Sequence, residues 1–141
     1  MLRRTLAIPI LFLAASLSLA QNKPTIKSVP AGQSDPTSGK SMFVSYCAAC
    51  HGKDAKGAGP AAQALRKTPT DLTILARKNS GKFPAVAVKN IIMGDPLASA
   101  AHGSKEMPVW GDIFRSLSSN ESISKMRIHN LVSYIESLQS K

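Results

Sequence analysis

The only two cysteines of the chain stand three apart, with a histidine directly after the second: Cys47-Ala48-Ala49-Cys50-His51. Few chemistries need two thiols and an imidazole at this spacing. C-x-x-C-H is the attachment pattern of c-type haem. Each thiol can form a thioether with one vinyl group of the porphyrin, and the adjoining histidine then lies beneath the iron as its ligand. A domain stitched to such a group needs fewer aromatic walls of its own. This chain has one Trp, two Tyr and four Phe. A redox dithiol and a zinc site use the same residue types. The first leaves His51 without a role and has no βαβ pattern around it. The second lacks partners at finger spacing, since His102 and His129 stand far apart.

A length of 141 residues allows one domain and makes two unsupported. With 43% hydrophobic and 18% charged residues, the chain is neither fully disordered nor a coiled coil. Residues 1–20 have the three parts of a secretory signal. Arg3 and Arg4 supply the charge, Leu6 to Leu17 the apolar run, and Ser18-Leu19-Ala20 the small residues a signal peptidase reads. The apolar run is shorter than the ~20 residues of a spanning helix, and an uncleaved anchor stays open as the alternative. The expected location is the periplasm. Residues 21–37, with Pro24, Pro30 and Pro36, read as a flexible leader, and residues 38–141 as the folded domain.

Without Arg3 and Arg4 the formal charge falls from +10 to +8. The remaining arginines are scattered, so nucleic acid is not the expected partner. A redox protein with an acidic docking surface fits the basic excess better. The chain is expected to be a monomer, and to reach a membrane only through an uncleaved signal or a membrane-bound partner.

Periodicity predicts an all-α architecture of short helices and long connections. Ser38 caps a first helix that runs to the cysteines. Pro60 opens a short helix over Ala61 to Arg66, and Thr70 caps another over Asp71 to Arg77. Pro84 opens a third that stops at Gly94, with Met93 in the core. Residues 95–120 read as irregular. A last helix, Ser122 to Gln139, carries Ile128, Leu131, Val132, Ile135 and Leu138 on one face.

Over Ser38 to Lys141 the sequence resembles the class I cytochromes c. Gly39, Phe43 and Cys47 fall at intervals of four, and Leu131-Val132-Ser133-Tyr134-Ile135 is similar to the last helix of that family. The resemblance implies the cytochrome c fold around one covalent haem c, with the first and last helices crossing at Gly39. It also implies that a proline carbonyl, here that of Pro60, accepts the Nδ1–H of His51. Glu106-Met107-Pro108-Val109-Trp110-Gly111 resembles the segment that delivers a distal methionine in bacterial members, which makes Met107 the second iron ligand and His102 its competitor. Arg66, Arg77 and Trp110 are open candidates for bonds to the haem propionates.

The expected function is one-electron transfer between redox proteins, without catalysis by the chain itself. A haem subunit of an oxidoreductase complex is the second reading. A peroxidase or gas sensor is the third, and would require an open iron position.

Overall fold

A computed structural model of the chain describes residues 32–95 and 106–140. Among these residues it is helical and has no strand. Ser38 caps the first helix, α1 (Gly39–Met42), by accepting the Ser41 N–H at 3.1 Å. The helical path continues through one wider π-helical turn, Phe43–Cys47, into α2 (Ala48–His51). A short 3₁₀ turn covers Ala62–Ala64, and a second, Leu72–Ile74, leads into α3 (Leu75–Lys78). The expected helix after Pro60 shrinks to the first of these turns. The cap of the second is Asp71 rather than Thr70, with its carboxylate accepting the Thr73 N–H at 2.8 Å.

Pro84 precedes α4 (Ala85–Met93), and Gly94 ends it in the left-handed region at φ 83°. Met93, expected in the core, is 38% exposed at that helix end. The stretch expected to be irregular holds a helix, α5 (Trp110–Ser116). Only seven residues long, it buries Trp110, Gly111 and Phe114, too few positions to print a periodicity. The last helix, α6 (Glu121–Ser137), is capped by Asn120 and buries Ile128, Leu131, Val132 and Ile135.

The core forms where α1, α4 and α5 pack on α6. Gly39 meets α6 at Asn130 and Tyr134, and the rings of Phe43 and Tyr134 lie 5.5 Å apart. Phe43, Phe114, Met42 and Leu131 are fully enclosed. A second aromatic group joins the turn before the cysteines to α5. Tyr46 lies 5.4 Å from both Trp110 and Phe114, ring centre to ring centre. Such tilted pairs add to the area they bury.

The folded unit begins earlier than residue 38. The Tyr46 hydroxyl donates to the Gly32 carbonyl at 2.6 Å and accepts the Ser34 N–H at 3.1 Å. Arg127, buried on α6, donates to the Ser34 carbonyl at 3.0 Å, and Asn130 donates to that of Pro36 at the same distance. Residues 32–36, assigned to the leader, are therefore held against the helices. Among the described residues no helix is long and apolar enough to cross a membrane.

Candidate functional site

Cys47 closes the π-helical turn, while Cys50 and His51 lie on α2. Both cysteines are free thiols. Burial, with the neighbouring Cys50 adding to it, pushes the Cys47 thiol up to about 12, and burial also raises that of Cys50. Both therefore stay protonated at neutral pH rather than forming the low-pKa thiolate of a redox dithiol.

Four residues cannot satisfy their own carbonyls within so short a helix. The following loop does so by folding back. The N–H groups of Gly57, Gly59 and Ala61 donate to the carbonyls of His51, Cys50 and Ala49, at 2.7, 3.0 and 2.8 Å. Gly59 has to be glycine there, because a Cβ would press on the Ala48 carbonyl at 2.6 Å. This return path also decides where Pro60 goes. The backbone on either side of it is spent on α2, and Pro60 itself is exposed.

The partner of His51 is a different carbonyl. Its Nδ1 lies 3.0 Å from the Thr70 oxygen. The Leu72 N–H, donating to the Ala55 carbonyl at 2.8 Å, ties the segment bearing Thr70 to the loop that follows His51. The expectation for Pro60 is corrected accordingly: the carbonyl facing His51 Nδ1 is that of Thr70. Burial lowers the His51 pKa, and the Thr70 bond opposes that shift. The imidazole is thus neutral at neutral pH, as an iron ligand must be. With Nδ1 engaged, Nε2 is the ring nitrogen that could ligate a metal.

Met107 is half-buried against the core, three residues before Trp110. The residue before it is anchored across 40 positions of sequence: the Glu106 carboxylate accepts the Arg66 backbone N–H at 3.0 Å. The Arg66 Nε stands 3.5 Å from the same oxygen, on a side chain that is otherwise 89% exposed. His102 lies outside the described residues. Of the propionate candidates, Arg77 is exposed and Trp110 is enclosed by Tyr46 and Phe114.

The donor set fits a covalently held haem: two free thiols, a neutral imidazole oriented through its far nitrogen, and a thioether on a separately pinned segment. Among the described residues no cluster of His, Cys, Asp and Glu offers a competing metal site. Sequence reasoning missed Thr70 and Glu106. A backbone acceptor leaves no residue signature, whereas Glu106, directly before the methionine, was legible and went unused.

No curated protein and no solved structure matches the chain significantly. A family model described as cytochrome c oxidase, cbb3-type, subunit III matches residues 34–135. A domain of this kind implies covalently bound haem c, and electron transfer rather than catalysis. The match covers most of the chain, including the residues before 38 that the helices hold. The chain belongs to this family of cbb3-type cytochrome c domains, within the class I c-type cytochromes.

Proposed function

We propose that the chain is an exported, periplasmic one-electron carrier, with haem c attached through Cys47 and Cys50 and its iron ligated by His51 and Met107. When bound, haem c supplies a single electron by alternating between Fe(II) and Fe(III). The chain does the rest. His51 is oriented by the Thr70 carbonyl, and that bond raises the basicity of the ring toward iron. Met107 sits on a segment anchored through Glu106 and packed ahead of Trp110. His51 and Met107 would both ligate the iron and leave no open position for a substrate, which favours transfer over substrate chemistry.

The observation that carries this reading is the contact between His51 and Thr70, beside two free thiols. Lys40, Lys53 and Lys56 are exposed around the same motif, which supports an acidic docking partner. Carbon monoxide provides the test. The reduced native protein should not bind it; binding would mean an open iron position and would favour a peroxidase or sensor instead.

The family description favours one further reading, a haem subunit held in an oxidase complex. A stoichiometric complex in cell extract supports the subunit, and a free monomer supports the carrier.

A further inference from the structure

The carbonyl that orients His51 is itself held from the far end of the chain. Thr70 lies just before Asp71, the cap of the stretch made of the second 3₁₀ turn and α3. Gln139 grips that stretch twice. Its Oε1 accepts the Ala76 N–H at 2.9 Å, and its Nε2 donates to the Leu72 carbonyl at 2.7 Å. The same Nε2 donates to the Ile135 carbonyl on α6 at 2.8 Å. A primary amide offers two N–H donors and one acceptor oxygen, and here the oxygen and both donors are engaged. The Ser140 N–H adds a bond to the Thr73 carbonyl at 2.7 Å. Residues 72–76 are thus fastened to the end of α6 on one side, and to Ala55 through Leu72 on the other.

We propose that Gln139 is a positioning residue for His51: by locking residues 72–76 onto the last helix, it fixes the Thr70 carbonyl and so sets the hydrogen bond to the imidazole. The inference rests on His51 being the iron ligand. A helix-end clamp with a purely structural role would contribute to stability alone. A positioning role also tunes the ligand, since a firmer acceptor at Nδ1 makes the imidazole more basic and favours Fe(III).

The experiment compares holoproteins carrying Gln139→Ala, Gln139→Glu and Ile128→Val with the wild type. Gln139→Ala removes all three side-chain bonds, and Gln139→Glu keeps the acceptor while losing both donors. Ile128 is buried on α6 and makes none of the Gln139 bonds, so its truncation lowers stability while leaving those bonds to residues 72–76 in place. The readouts are the reduction potential and the proton resonance of His51 Nδ1–H in the reduced protein. Both Gln139 variants should raise the potential and move that resonance upfield, while Ile128→Val leaves both in place. Should Gln139→Ala fail to fold, Gln139→Glu decides by the same readouts. Unchanged values in the Gln139 variants, or equal changes in Ile128→Val, would overturn the inference alone. A wild-type protein that attaches no haem would overturn the reading of the site, and this inference with it.

Discussion

Gly39 and Tyr134 meet where the first and last helices cross, so closely that a Cβ on Gly39 would stand 2.7 Å from that of Tyr134. The Asn130 carbonyl is nearer still. Neither neighbour is the free end of a flexible side chain, so the helices have to separate to admit a methyl group.

Gly39→Ala should therefore destabilise the holoprotein, despite the better helix propensity of alanine. Overpacking of this kind costs about 3 kcal/mol. Denaturant unfolding followed by circular dichroism measures it; an unchanged midpoint would mean the crossing can relax.

The cysteines would bear on folding as much as on haem attachment. With so few aromatic residues, the haem would form a large part of the apolar interior, and domains of this size are marginal even with complete cores. Cys47→Ala combined with Cys50→Ala should leave mostly unfolded chain. A cooperative, native-like thermal transition in that double variant, without haem, would contradict the expectation.

Acid should loosen the segment behind Thr70. Hydrogen bonds from the Thr73 side chain and backbone hold the Asp71 carboxyl below its usual range, against a smaller opposing effect of burial, and Lys56 and Lys78 assist. Because the folded value is the lower one, the unfolded chain takes up the proton first as pH falls. The stabilisation is complete above about pH 4 and is lost as pH drops through the folded value. Asp71→Ala should cost about 1 kcal/mol at neutral pH, as a lost cap does. That difference from the wild type should shrink on acidification. A difference that stays constant in acid would show that the carboxylate form does not matter.

Salt tests the docking proposal. If the exposed lysines around the motif steer an acidic partner, second-order transfer should slow as ionic strength rises, over a Debye length of about 8 Å at physiological strength. Rates that stay flat or increase would remove the electrostatic argument.

Much of the fold was legible because its signals are local. Ser38 caps α1, Pro84 and Gly94 bracket α4, and the apolar face of α6 spans many turns. Of the candidate site, the sequence offered the side-chain chemistry: Cys47, Cys50, His51 and Met107. What stayed hidden depends on distant backbone. Thr70 reaches His51 only because a loop returns over α2, which no spacing in the sequence expresses. Residues 32–36 looked like leader because their partners, Tyr46, Arg127 and Asn130, bind their carbonyls from positions up to 94 residues away. Helix α5 was missed because its length allows Trp110 and Phe114 a single turn to mark it.

The assignment of His51 and Met107 as the axial pair is tested most directly by the near-infrared spectrum of the oxidised protein, where Fe(III)–thioether bonding produces a weak band. The wild type and His102→Ala should both show that band. Met107→Ala should lose it, and should bind carbon monoxide once reduced. A wild type without the band, or a Met107→Ala protein that keeps the band and still excludes carbon monoxide when reduced, would contradict the assignment.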